Sequence, residues 1–531
     1  MKADIIVCGG GLGGFAATLA AARNGYKVIL TEETDWIGGQ LTQQGVPPDE
    51  HPWIETHGAP ASYMKFRNEV RNYYKRYYPL TAEAKARPFL NPGDGAVSRL
   101  CHEPRIALVV LHEMLKPYIE SGHVHLLLHH KVVEAKATKM EVSEVTIKHV
   151  LNNTTIKAAA DYFVDATELG DLLPLTKTSY VTGAESKKET GEMHAAAVAN
   201  PANQQSFTCC FAIDHEEGKN NLIEQPSEYD FWRDYIPDLR PAWTGKLLSL
   251  TYSHPVTLEP RTLDFNPDGS TVNKTLNLWN YRRIIYHKNF LPGVYKSDIS
   301  LINWPMNDYM LRNLIDVGET AFNQHVARAK QLSLSLLYWL QTEAKRPDGG
   351  IGWPGLRLRK DIMGTADGMA KYPYIRESRR MKTIFTVKEE HVGKEQFENT
   401  YGKKGMTHFP FEDSVGVGYY HIDLHPSSTG DNYIDFDSIP FQIPLGSLIP
   451  IEKENLLPAC KNIGTTHITN GCFRLHPVEW SIGEAVGCLI SYCLSKKTSP
   501  RKVATNKDAL KMFQAFIQQH GLEINWPKQD N

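Results

Sequence analysis

No two of the eight cysteines stand in a Cys-x-x-Cys spacing, which removes the usual sequence support for structural zinc, cysteine-held iron–sulfur clusters and a dithiol relay. No metal site is expected. Cys209 and Cys210 are adjacent and should alternate across a strand rather than bridge. Excess charge is missing too: 58 Lys and Arg meet 60 Asp and Glu, so there is no electrostatic case for nucleic acid or an anionic membrane surface. No apolar run approaches the roughly 18 residues of a membrane span. The N-terminus enters a strand without a basic-apolar-cleavage pattern, which points to a cytoplasmic protein. What remains, at 531 residues, is room for two or more domains whose cores need no disulfides.

The informative segment opens the chain. Asp4-Ile5-Ile6-Val7-Cys8 is followed by Gly9-Gly10-Gly11-Leu12-Gly13-Gly14, an alanine-rich stretch to Asn24, Gly25, and then Val28-Ile29-Leu30-Thr31-Glu32. This predicts a strand, a glycine turn, a helix and a second strand ending in a carboxylate. Gly9 permits the tight turn, Gly11 lets backbone approach a pyrophosphate, and Gly14 lets the helix pack on the sheet with its free amides toward the phosphates. A carboxylate about 20 residues past the glycines accepts hydrogen bonds from a ribose diol. An adenine dinucleotide is the expected ligand. The Gly38-Gly39-Gln40 segment just past Glu32 and Glu33 suggests a second close approach of backbone to it.

Further along, the aromatic and basic pattern between Pro60 and Tyr78 predicts a solvated amphipathic helix. Ile106 to Ile119 predicts another, leading into strands at Val124 to Leu128 and Lys131 to Ala135. Val142 to Ile156 reads as a hairpin turning at Asn152-Asn153. Tyr162-Phe163-Val164-Asp165 should be a buried strand whose end, Ala166-Thr167-Glu168-Leu169-Gly170-Asp171, returns to the cofactor crevice. From about 180 to 445 the texture changes to short mixed strands with many prolines and aromatics, and only Glu319 to Glu343 predicts a long helix. Gly416 to Pro426 alternates, which would place Tyr419, His421, Asp423 and His425 on one face of a strand. Near the C-terminus, Asn455 to Cys460 predicts a short strand and Lys461 to Arg474 a loop. A helix then starts near Pro477, its N-terminal amides suited to the pyrimidine edge of a flavin.

Taken in order, these segments resemble the FAD-dependent oxidoreductases with a glutathione-reductase-type FAD-binding fold. Tyr374-Ile375-Arg376-Glu377-Ser378-Arg379-Arg380, Ile443 to Pro450 and His467 to Gly487 carry the resemblance beyond the glycine segment. It implies an α/β architecture: a Rossmann-like FAD-binding domain, parallel sheet with helices, plus an inserted mixed α+β substrate domain. The implied boundaries are 1–180 and 446–500 for the FAD domain, 181–445 for the insertion, and 501–531 for a helical tail. Gly9, Gly11 and Gly14, with Leu12 and Gly13 between them, would hold the pyrophosphate. Glu32, with Glu33 beside it, would hold the adenosine ribose, and Val133 would lie near adenine. Gly39 and Gln40 join this set, Asp165 and Thr167 would support the crevice, and Glu479, Ser481 and Ile482 would meet the flavin ring and ribityl chain. Wider relatives carry Gly-Asp near the ribityl chain where this sequence has Lys461-Asn462, and Asp-Ala-Thr-Gly where it has Asp165-Ala166-Thr167-Glu168.

A second glycine fingerprint is absent from the middle of the chain, which argues against a dedicated NAD(P)H domain. The simplest cycle therefore takes a hydride from a small polar organic substrate, an alcohol or amine, and passes the electrons to oxygen or another acceptor. The alternatives are a monooxygenase or halogenase fed with reduced flavin, and a flavoprotein whose FAD is structural. Hydride abstraction needs a base, and histidine suits neutral pH. The candidates are His51 in the loop after Gln40, His421 on the alternating strand, and His467 and His476 around the flavin-facing helix. Arg474 could anchor an anionic group or steady the reduced flavin. Sequence leaves the oligomeric state open.

Overall fold

A computed structural model of the chain describes residues 1–271, 275–402 and 408–527. The opening unit forms as its spacing predicts. β1 (Ile5–Cys8) is buried, Gly9 turns the chain at a φ of 100°, and α1 (Leu12–Arg23) runs back to β2 (Val28–Glu32). Every α1 residue except Arg23 is buried. Alanine suits that position because it costs no side-chain entropy and lets the helix lie close to the sheet. Gly25, at a φ of 85°, ends the helix.

α2 (Ala61–Tyr77) and α3 (Pro104–Glu120) then lead to β3 (Val124–Leu128). Here the structure corrects one expectation: α2 is not a solvated helix, since Tyr63, Phe66, Arg67, Val70, Arg71 and Tyr74 are buried. Arg67 and Arg71 go inside because the preceding loop supplies carboxylates. Arg67 meets Glu50 at 2.8 Å and Glu55 at 2.7 Å, and Arg71 meets Glu55 at 2.6 Å. β4 (His130–Ala137), β5 (Val142–His149) and β6 (Thr155–Ala158) make a three-stranded antiparallel sheet, and β7 (Tyr162–Asp165) returns to the first sheet.

The middle of the chain builds a separate core around Trp232, Trp279 and Trp304. Its main sheet is antiparallel, made of β8 (Phe211–His215), β9 (Arg283–Ile285), β10 (Ile299–Ile302) and β11 (Leu356–Leu358) in the order β9-β10-β8-β11. The long helix α4 (Glu319–Thr342) covers this core. Cys209 and Cys210 lie just before β8 rather than within a strand, and both are buried free thiols.

The alternating segment breaks in two. β12 (Ser414–Gly418) pairs with β15 (Phe441–Pro444), whereas β13 (Ile422–Leu424) pairs with β14 (Ile434–Phe436). Tyr419 to His421 lies between them outside any strand. Last come β16 (Leu456–Pro458), α5 (His467–Phe473), α6 (His476–Lys496), α7 (Pro500–Thr505) and α8 (Lys507–Gln519). The predicted loop from Lys461 to Arg474 thus contains a helix, α5. It is short and lacks an apolar stripe, and it is held by Thr466, whose hydroxyl accepts from the Thr469 amide.

β16, β7, β1, β2 and β3 form one parallel sheet in that order. Strand order reverses at β1, between β7 and β2, and ligands of such sheets bind beyond the strand ends at that point. α6 crosses α1 at backbone contact. A Cβ on Gly13 would lie 1.5 Å from the Ala459 carbonyl oxygen, and one on Gly483 would lie 2.0 Å from the Gly13 oxygen. Chain start and chain end are therefore locked together at the crevice.

Candidate active site

A cavity of about 450 Å³ opens at the switch point of the parallel sheet. Gly9 and Gly11 line it from the first turn, Glu32 and Glu33 from the end of β2, Val133 from β4, and Thr167, Glu168 and Asp171 from the segment after β7. These are the parts that a dinucleotide needs, brought from four strand ends to one space. A Cβ on Gly9 would lie 2.3 Å from the Ala166 oxygen, so the glycine turn is pressed against the β7 loop. Gly14 has a different role from the helix-to-sheet packing expected of it: its Cβ would meet the Gly9 oxygen at 1.9 Å, so it sits under the turn itself. Close packing at the end of the sheet falls to Gly13.

The carboxylates around this cavity hold their protons unusually well. Glu32 accepts from the Gly10 amide at 3.0 Å and the Thr34 amide at 2.8 Å, yet burial pushes its pKa up to about 7. Burial and the neighbouring Glu32 charge push Glu33 up to about 8. Asp165, buried at the end of β7 and bonded to Thr167 at 2.7 Å, rises to about 7, again from burial first. Thr167 Oγ1 then accepts from the Asp171 amide at 2.7 Å, so Asp165 and Thr167 fix the shape of the loop. Desolvation disfavours each charge, and polar hydrogen bonds offset only part of that cost.

Beneath the glycine turns runs a fully buried polar chain. Lys461 Nζ donates to Glu168 at 2.5 Å and to Glu479 at 3.2 Å. Gln40 Nε2 donates to the other Glu479 oxygen at 3.0 Å and to the Arg474 carbonyl at 2.8 Å. Asn462 Nδ2 donates to the Asp165 carbonyl at 2.9 Å, tying the end of β16 to the end of β7. Ser481, a turn into α6, bonds its own helix at Pro477 O, 2.8 Å away, and Ile482 is packed in the core. Burial, with Lys461 opposing it, leaves Glu479 at about 7.

That chain ends at a second cavity, of about 330 Å³, between the middle of the chain and α5–α6. Three of the four arginines that line it are each held by an aspartate: Arg282 by Asp49 at 3.2 Å, Arg376 by Asp308 at 3.0 Å and Arg474 by Asp423 at 3.0 Å. Tyr252, Tyr281, Tyr374, Tyr420 and Tyr433 fill the wall between them. Two histidines face the same space, each oriented by a carboxylate. His421 Nδ1 lies 2.7 Å from Asp435, and His425 Nδ1 lies 2.6 Å from Asp308. Burial works against a charged His421, but Asp435 and Asp423 together outweigh it, so the net shift is upward.

Of the five catalytic candidates, only His421 and Arg474 meet in this cavity. His476 caps the start of α6 from inside, its Nδ1 accepting the Asp49 amide at 3.0 Å, and burial lowers it to about 4. His51 is wedged against Trp526, bonded to the Gly58 carbonyl at 3.1 Å, and burial likewise lowers it to about 4. His467 lines a separate cavity and is clamped to Glu377 at 2.9 Å; burial opposes its charge, and Glu377 raises it overall. Asp49, Arg282 and Asp308 were missed by sequence reasoning, because their partners lie far away in the chain; Asp435, 14 residues from His421, was missed because only the β13–β14 pairing brings the two together. The alternating strand was a partial guide: Asp423 and His425 do reach the cavity, but Tyr420 replaces Tyr419 there, since the backbone leaves its strand after Gly418.

A family model described as FAD dependent oxidoreductase matches residues 4–516. The chain belongs to that family. FAD is its cofactor and it is an enzyme. No curated protein matches it significantly. A glycerol-3-phosphate dehydrogenase from Bacillus halodurans complexed with FAD is 15% identical over 40% of this chain and 40% of that one, with a TM-score of 0.24. The chain thus spans less than half of that relative's length. An anhydrotetracycline hydroxylase from Streptomyces rimosus aligns over 98% of this chain and 68% of its own, at 10% identity and a TM-score of 0.34. A myxobacterial chondrochloren halogenase aligns over 98% and 79%, at 11% identity and a TM-score of 0.32. At such scores these likenesses carry no information on substrate.

The residues present suit FAD. Bare glycine backbone meets at the switch point, where a Cβ on Gly39 would lie 3.0 Å from the Gly11 Cα. Just beyond, Gln40 Oε1 and both amide atoms of Gln44 are buried without a protein partner among the described residues. Buried polar groups of that kind call for a polar ligand. Among the described residues no helix is long and apolar enough to cross a membrane, and no cluster suited to a metal occurs.

Proposed function

We propose that this flavoenzyme takes a hydride from an alcohol or amine carbon of a small polar molecule bound in the cavity of about 330 Å³. The observation that carries this reading is the His421–Asp435 pair opening on that cavity, 2.7 Å apart. FAD supplies the two-electron acceptor. Asp435 fixes the His421 ring through Nδ1, which assigns Nε2 to the substrate O–H or N–H proton. The C–H hydride leaves as that proton is taken, and oxygen or another acceptor later removes the electrons. Arg474 joins the two cavities: its side chain lines the substrate space while its carbonyl is bonded to Gln40, which also holds Glu479. The tyrosines exclude water and offer hydroxyls to a polyhydroxylated or aromatic substrate. The glycine turns, Glu32, Asp165 and Thr167 serve the cofactor, with Val133 toward its adenine.

The test is anaerobic mixing of the yellow protein with panels of alcohols, amines and NAD(P)H. Bleaching by an organic donor, slowed in His421→Gln, is the expected result. Bleaching by NAD(P)H alone would replace this reading with a monooxygenase or reductase cycle, and inertness to every donor would favour a structural flavin.

A further inference from the structure

Glu168, just past β7, and Lys461, just past β16, are bonded to each other. They lie 293 residues apart in the chain, and Lys461 Nζ meets Glu168 Oε2 at 2.5 Å in a fully buried site. The other carboxylate oxygen, Oε1, lies at the mouth of the glycine turns. It would stand 3.0 Å from a Cβ on Gly11 and 3.2 Å from one on Gly39. An anionic oxygen is therefore seated at the N-terminus of α1, a helix of 12 residues, where free amides and the helix dipole favour negative charge.

The charge balance there is uneven. One ammonium serves two carboxylates, Glu168 and Glu479. Of this cluster, Glu168 lines the first cavity together with Gly9 and Gly11, and Glu479 stands in the first turn of α6. A diphosphate adds further negative charge at this spot, and the glycine amides alone would have to offset both it and Glu168. Lys461 is the cation buried at the junction.

We propose that Lys461 binds the diphosphate of FAD and that Glu168 competes with the diphosphate for it. Lys461 thereby does the work that the free amides do elsewhere in the turn, and Glu168 sets how tightly FAD is held. The inference rests on the cofactor and not on which substrate donates the hydride.

The experiment is FAD binding to the full-length chain stripped of flavin, followed by flavin fluorescence, with riboflavin as the probe lacking a diphosphate. Glu168→Gln removes the competing charge at nearly constant shape and should bind FAD about tenfold more tightly. Lys461→Gln should bind FAD at least about tenfold more weakly, and Lys461→Arg should restore most of that loss. Riboflavin binding should be the same in all three. Unchanged or weakened FAD binding in Glu168→Gln would overturn the proposal, as would equal losses of FAD and riboflavin in Lys461→Gln. Because Glu168→Gln is read as a gain, a misfolded variant cannot imitate the expected result.

Discussion

The two cavities are built on opposite plans. Around the first, glycines press against carbonyls at 1.5 to 2.3 Å from a would-be Cβ, and burial raises Glu32, Glu33 and Asp165 to about 7 to 8. The second is walled by side chains in opposite-charge pairs, and two aspartates of those pairs are pulled the other way. Asp423 and Asp308 are held below the usual range; burial opposes this, but His425 and Arg474 outweigh it for Asp423, and Arg376 and His425 for Asp308. A site that must hold a common cofactor tolerates little change in shape. A site that selects a substrate can be retuned one pair at a time.

The largest expected effect tests the rigidity of the first cavity. Gly13→Val places atoms inside the Ala459 carbonyl and should abolish recovery of soluble, flavin-bearing protein. A normal yield of yellow protein at full FAD content would remove the claim that backbone contact locks chain start to chain end.

Next comes the chemistry of the second cavity. Asp435→Asn should slow flavin reduction by the organic donor by about 10² or more, since His421, the base we propose, loses its orienting carboxylate. FAD content should not change. A similar loss in His467→Gln would contradict the separation of these histidines; that variant should instead cost about 1–3 kcal/mol of stability, read by urea unfolding, because Glu377 loses a buried partner.

The smallest effect is in the pH dependence. Unfolded carboxyls titrate near 4, whereas Glu32, Asp165 and Glu479 titrate at about 7 and Glu33 at about 8 in the folded chain. Between those values the folded state binds more protons than the unfolded state, so the stability these groups contribute is fully present below about pH 4 and declines as pH rises through 8. Glu377 is held at about 2, because His467 and Arg380 outweigh its burial, so its contribution is lost only as pH falls toward 2. Urea unfolding of the flavin-free chain at pH 5.5 and pH 8 should show the decline. A rise would mean that the first cavity holds its carboxylates charged.

Much of the first cavity was legible in order along the chain. β1, α1 and β2 are contiguous, their glycines and terminal Glu32 sit at fixed offsets, and hydrogen bonds within about 25 residues define the unit. Strand β7 was equally readable, since Tyr162-Phe163-Val164-Asp165 is an unbroken apolar run ending in a carboxylate. The fate of α2 was not. Its buried arginines look like a solvated face until Glu50 and Glu55 arrive from the neighbouring loop. The histidines failed for the same reason: His51, His421, His467 and His476 are alike in sequence, and only packing sends His421 to the second cavity, His467 to a separate one, and His51 and His476 into the core.

Local order thus decides the cofactor fold, because turns, helices and parallel strands follow from residue size and spacing over short distances. Long-range pairing decides the rest. Arg282 finds Asp49 across 233 residues, Lys461 finds Glu168 across 293, and Gln40 finds Glu479 across 439. A buried charge is stable only beside its partner, and which groups become partners is set when the sheets and helices pack, a step that composition and spacing do not encode.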